Sequence, residues 1–145
     1  MALIDKKLVF SEDQAITSVG TAGSTNIINF GSGYDGFWDA KIADYGKTGD
    51  LFLNVRVTTT FTAGATTATL KFTLQDSTTG ATGSWRTVFD GRAITQPNLD
   101  AGVYLYRGPV PASMRQYVRV LYTAGTTAFT AGKVSSWLAG NAGDV

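Results

Sequence analysis

The chain has 145 residues, with 12 Lys+Arg against 11 Asp+Glu, 17 Gly, 3 Pro, no Cys and no His. That length fits one domain, and a net charge of +1 offers no global field toward nucleic acid or an anionic membrane. The missing His and Cys exclude Ser-His-Asp and Cys-His nucleophiles, His- or thiolate-ligated metals, disulfides and iron–sulfur clusters.

At the start, Asp5, Lys6 and Lys7 interrupt any run long enough for a secretory apolar core, so no targeting segment is expected. Residues 1–10 read either as a first strand or as an N-terminal arm. Short strands are predicted at Lys7–Phe10, Gln14–Ser18 and Asn26–Phe30. A glycine-rich segment follows, and Gly36–Tyr45 is the one place where a helical turn fits before Gly46 ends it. From Leu51, the apolar residues Leu51, Leu53, Val55 and Val57 alternate with Asn54, Arg56 and Thr58 in the other phase. Ala68, Leu70, Phe72 and Leu74 alternate in the same way with Thr69, Lys71, Thr73 and Gln75. This period of two belongs to strands with one buried face. Gly64 lies between the two runs, so the pair reads as a long hairpin.

Ser84–Asp90 and Val103–Arg107 are the next predicted strands. Pro97, Pro109 and Pro111 fall between strands, where a missing backbone donor does little harm. Gln116–Thr123, a turn at Gly125 and Phe129–Leu138 read as a second hairpin. Both hairpins carry Phe-Thr-Ala-Gly, at 61–64 and at 129–132, a faint pseudo-repeat. The charge-free window Val57–Leu70 is mostly Thr, Ala and Gly, so no membrane span is expected. The many Thr and the lack of Ala-Leu runs weigh against helix throughout. The expectation is an all-β chain, one domain over residues 1–145, folded as a jelly roll or β-sandwich of about eight antiparallel strands.

Reactive constellations are scarce. Gly31-Ser-Gly33-Tyr-Asp-Gly36 matches a dinucleotide-binding pattern, but no long helix follows and the next strand ends on Thr58-Thr59-Thr60 without a carboxylate. A glycine-rich surface loop is the reading. Glu12 and Asp13 are adjacent, so in a regular strand they point to opposite faces and cannot flank one glycosidic bond. Arg107, Arg115 and Arg119 lie near Tyr104, Tyr106 and Tyr117, which fits an ordinary solvent face or interface rim as well as a nucleic-acid platform. Tyr34, Phe37, Trp38 and Tyr45 crowd one loop with Asp35, Asp39, Asp44 and Asp50. Such a cluster suits a protein contact, or core capping; sugar stacking and calcium are the alternatives. No catalytic residue, cofactor or metal is expected, and the chain does not read as an enzyme.

Two end segments carry a resemblance. Leu3-Ile4-Asp5-Lys6-x-Leu8-Val9-x-Ser11, then Gln14-Ala15-Ile16-Thr17 and Ser24-Thr25-Asn26-Ile27-Ile28, resembles the start of the capsid cement (head decoration) proteins of tailed bacteriophages, of the Bordetella podophage type. Arg115-Gln-Tyr117-Val-Arg119-Val-Leu-Tyr122 and Phe129-Thr-Ala-Gly132-Lys-Val134 are similar to that family's closing hairpin, and Leu51–Thr59 and Ala68–Gln75 also fit. The resemblance implies a jelly roll, made in the host cytoplasm, that docks on the outer surface of the virion head. It would bridge neighbouring major capsid subunits as a homo-oligomer, a dimer or trimer, with no nucleic acid or membrane partner. Leu3, Ile4 and Leu8 of the arm, with Tyr34, Phe37, Trp38 and Tyr45, are the candidate interface residues. The alternative from another class is a carbohydrate-binding jelly-roll module using Tyr34, Trp38 or Trp85 as stacking platforms.

One consequence is a pH response. No side chain here has an ordinary pKa between about 5 and 8. The melting temperature and capsid binding are expected to stay flat from about pH 6 to pH 8. Melts in a buffer series across that window check this, and a steep change inside it contradicts it.

Overall fold

A computed structural model describes residues 8–29, 52–110 and 115–139. The predicted turn at Gly36–Tyr45 lies outside the described residues. Among the described residues there are ten strands: β1 (Val9–Ala15), β2 (Gly20–Gly23), β3 (Ile28–Asn29), β4 (Phe52–Ala63), β5 (Thr69–Ser77), β6 (Arg86–Asp90), β7 (Ile94–Thr95), β8 (Tyr104–Pro109), β9 (Tyr117–Gly125) and β10 (Phe129–Ala139). A 3₁₀ turn spans Gln96–Asn98. Among the described residues, no helix is long and apolar enough to cross a membrane.

The strands form two antiparallel sheets. The first has the order β1-β10-β4-β8; the second has β2-β9-β5-β6, with β3 also pairing β9 and β7 also pairing β5. Joining β2 with β3 and β6 with β7 leaves eight strand lines. The first then pairs with the eighth, the second with the seventh, the third with the sixth and the fourth with the fifth. That nesting of a hairpin rolled over on itself is a jelly roll.

Neither predicted hairpin forms as a ladder. β4 lies in one sheet and β5 in the other, and β9 and β10 are divided in the same way. The two outer members pair with each other (Val55 opposite Ser136, Leu53 opposite Leu138), and so do the two inner ones (Phe72 opposite Tyr122, Leu74 opposite Val120). The physical reason is burial. A hairpin would set Val55, Val57, Leu70 and Phe72 side by side on one face that still needs a covering layer. Splitting the pair between sheets makes each face the cover of the other. The two predicted short strands before Ser18 also differ: their described part is one strand, β1, with register shifts between Val9 and Ser11 and between Ser11 and Gln14.

The core lies between the sheets. Phe10, Leu53, Val55, Val57, Phe61 and Leu138 meet Leu70, Phe72, Leu74, Val118, Val120 and Tyr122, all fully or nearly fully buried. Each such Val, Leu or Phe contributes about 1.5–3 kcal/mol relative to an exposed position. The two Phe-Thr-Ala-Gly segments lie beside each other. Phe61 and Phe129 pack edge to face at 4.7 Å, and Thr62 Oγ1 sits 2.9 Å from Thr130 Oγ1. Gly132 has φ of 147°, and a Cβ there would lie 2.2 Å from the Phe61 ring, whereas Gly64 faces open space.

One polar chain crosses this apolar layer. The Tyr122 hydroxyl, wholly buried on β9, donates to Ser11 Oγ of β1 at 2.9 Å and is bonded to Ser136 Oγ of β10. Ser11 donates onward to Gln14 Oε1 at 2.6 Å, and Gln14 Nε2 donates to the Gly23 carbonyl at 2.9 Å. With the Tyr122 proton directed at Ser11, the Ser136 hydroxyl donates to Tyr122. The chain stitches β9 to β10, β1 and the end of β2. Burial pushes the Tyr122 phenol up to about 12, against the opposing pull of its bonds to Ser11 and Ser136.

Two outcomes follow. Tyr122→Phe leaves Ser136 without its acceptor and is expected to cost about 1–3 kcal/mol in denaturant melts at neutral pH. Because the native phenol titrates above its unfolded value, its stabilisation is complete below about pH 10 and is lost as pH rises from about 10 to 12; the variant should lose that part of the alkaline response. Gly132→Ala is expected to lower stability by about 1–3 kcal/mol through overpacking on Phe61, while Gly64→Ala leaves the melting temperature near wild type.

Candidate functional site

The outer face of the first sheet is assembled from the phase opposite to the core. On β4, Asn54, Arg56 and Thr58 alternate with the buried Leu53, Val55 and Val57. On β10, Ser135 and Trp137 alternate with the inward Val134, Ser136 and Leu138. Register places these side chains in two cross-strand rows. In one, Ser135 lies opposite Arg56, Arg56 opposite Tyr104, and the Asp13 backbone N–H donates to Ser135 Oγ at 2.9 Å. In the other, Val9 lies opposite Trp137, Trp137 opposite Asn54, and Asn54 opposite Arg107.

A groove of about 260 Å³ opens over these rows, lined by Val9, Ser11, Glu12, Asp13, Arg56, Thr58, Ser135 and Trp137. Glu12 and Asp13 belong to β1 and Arg56 to β4, with β10 between those two strands. Glu12 and Asp13 are both among its lining residues, and β1 is irregular there: Asp13 has φ of 50°, a left-handed conformation that interrupts the regular alternation. Trp137 is only 6% exposed, and its indole Nε1 has no hydrogen-bond partner. The Thr58 hydroxyl and both amide atoms of Asn54 are also without partners. Beside the groove, the Arg107 and Arg56 guanidiniums lie over the Tyr104 ring at 5.0 and 5.8 Å from its centre.

The second sheet's outer face is closed on itself. Arg119 stacks on Trp85 at 4.2 Å and donates to Gln75 at 2.9 Å, and burial lowers its pKa. Asp90 accepts from Thr73 at 2.8 Å and pairs with Lys71 at 3.3 Å; these contacts, the Thr73 bond first, hold its carboxyl below the usual range. At the sandwich's end, the fully buried Asp76 takes a two-pronged bond from Arg86, at 3.1 and 2.8 Å, and a third from the Arg115 backbone N–H at 3.0 Å.

The predicted site residues are dispersed by this arrangement. Leu8, expected at an interface, is 9% exposed and packs in the core cluster. Leu3, Ile4, Tyr34, Phe37, Trp38 and Tyr45 lie outside the described residues, as does the 31–36 glycine pattern. Arg107 and Arg119 stand on different sheets, and the Tyr106 ring is turned inward against Phe72 and Phe89. They therefore form no common stacking surface. Trp85 offers one ring face to Arg119. Trp137 and Arg56 were not singled out from the sequence, although the parity of Trp137 with the apolar Leu138 places an indole in the outward phase of β10.

Fold and site together define a jelly-roll domain with a mixed-charge groove on one sheet. A family model, Bbp16, matches residues 10–138, most of the chain and nearly all of the strand framework. The chain belongs to the Bbp16 family, a Bordetella phage protein family. No curated protein matches the chain significantly.

The Asp13 geometry can be checked directly. Asp13→Gly relieves a left-handed residue and is expected to be neutral or stabilising by up to about 1 kcal/mol, whereas Asp13→Val is expected to cost about 1–2 kcal/mol in thermal melts.

Proposed function

We propose that this protein is a structural component of a tailed-phage virion, a cement or decoration protein that binds the outside of the head and bridges neighbouring major capsid subunits. The observation that carries the reading is membership of the Bbp16 family over residues 10–138. The likeness of the two end segments to phage cement proteins narrows it, and a jelly roll with two broad sheet faces suits lattice contacts. The proposal assigns the chain no catalysis and no cofactor. Physically, a bridging protein needs only modest affinity at each contact. Engaging two subunits at once raises apparent affinity by about 10²–10⁴ through effective concentration. Sugar stacking is the weaker reading, because the Trp85 ring carries Arg119 on one face.

The test is co-sedimentation of the purified protein with phage heads assembled without it. Saturable binding is expected, at least about 100-fold tighter to assembled heads than to unassembled major capsid protein. Heads that pellet without the protein at concentrations above about 100 μM would overturn the proposal.

A further inference from the structure

We propose that Asp90–Gly91, at the end of strand β6, is a latent site of isoaspartate formation, gated by the contacts that hold this corner to β5. The chemistry belongs to the Asp-Gly pair. The Gly91 amide nitrogen attacks the Asp90 side-chain carbonyl carbon, and a C–N bond forms. The amide proton and the carboxyl hydroxyl leave together as water, giving a five-membered succinimide. Water then reopens the ring. Cleavage between the nitrogen and the main-chain carbonyl carbon routes the backbone through the Asp90 side chain. The product keeps the original mass and gains one carbon in its main chain. Glycine after the aspartate favours ring closure, because no Cβ crowds the attacking nitrogen.

Packing imposes the pair and also protects it. A Cβ at position 91 would run into the Phe72 ring and lie 2.8 Å from the Phe72 carbonyl oxygen, so the fold requires glycine there. That close approach lets the Gly91 N–H donate to the same carbonyl at 2.9 Å, which occupies the nitrogen that would attack. The carboxyl is held as well. Thr73, its ladder partner on β5, donates to it at 2.8 Å, and Lys71 Nζ lies 3.3 Å from the same oxygen. These contacts keep it ionised, the form that lacks the hydroxyl which has to leave. Ring closure therefore requires β6 to release this corner. β6 is the outermost strand of its sheet and the Asp90 side chain is exposed, so a local opening frees the pair without unfolding the core. Modification makes the opening permanent. A backbone one carbon longer cannot set Asp90 opposite Thr73 and Gly91 against Phe72 together.

The test ages the folded protein, and the same chain denatured in guanidinium chloride, at neutral pH and physiological temperature. Isoaspartate is followed by chromatography and mass spectrometry in the tryptic peptide 87–92, which is separate from the peptide holding Asp35–Gly36. Conversion is expected to be at least about 10-fold slower in folded wild type than in the denatured chain. Folded Thr73→Val lacks the hydroxyl that holds the carboxyl, and should convert about 3- to 10-fold faster than folded wild type. Asp90→Glu would have to close a six-membered ring and should convert hardly at all. Hydrogen exchange on the aged protein should show lost protection at the Gly91 amide, with β9 and β10 unchanged. Folded wild type converting as fast as the denatured chain overturns the proposal, and so does Thr73→Val converting at the wild-type rate. Absence of isoaspartate from peptide 87–92 of the denatured chain overturns it too. Should Thr73→Val fold poorly, the half-exposed Lys71→Gln decides instead: faster conversion supports the gate, and an unchanged rate overturns it.

Discussion

The Tyr122 hydroxyl is the point on which the two sheets depend for their alignment. Apolar contacts between sheets are non-directional, so Leu53 or Phe72 would tolerate small slides of one layer over the other. A phenol buried among them does not. Left without partners it would cost about 1–3 kcal/mol, and only one placement of β9 over β1 and β10 brings Ser11 and Ser136 to it. Because Ser11 passes its proton on to Gln14, and Gln14 holds the Gly23 carbonyl, the same chain also locates β2.

The consequence reaches the outer face. Ser136 turns inward to Tyr122, so its neighbours Ser135 and Trp137 must turn outward. Ser11 turns inward from β1, and the register shifts around it absorb the mismatch with β10. In that irregular stretch Asp13 takes a left-handed conformation, and Glu12 and Asp13 both line the groove. The groove and the buried clasp therefore share two strands, β1 and β10. A groove built this way is held by the core of the jelly roll.

Much of the framework was legible in the residues. The alternation of Leu53, Val55 and Val57 with Asn54, Arg56 and Thr58 correctly names the strand and its buried face. Leu70, Phe72 and Leu74 do the same for β5, and the jelly-roll class follows from the number of such runs. β2 and β7 were not legible, since Gly20–Gly23 and Ile94–Thr95 are too short for a period to register. The turn after β9 was placed at Gly125, yet the residue with positive φ is Thr126, at 71°. A β-branched residue is a poor local choice there, and the closing strands impose it. The pairing of the two Phe-Thr-Ala-Gly segments was hidden for another reason. Repetition shows that two stretches are alike, not that they touch.

Periodicity by itself determined that this is a β protein with two kinds of face, and the missing His and Cys set the limits of its chemistry. Only the tertiary structure decided which strands are neighbours. A period of two specifies the side of a sheet on which a residue lies, but carries no information about the strand beside it. That choice belongs to contacts distant in sequence, such as Asp13 with Ser135, 122 residues apart. Asp13, Arg56 and Trp137 each look like an ordinary residue of its own strand. They come to line one groove because burying two apolar faces against each other folds β1, β10 and β4 side by side.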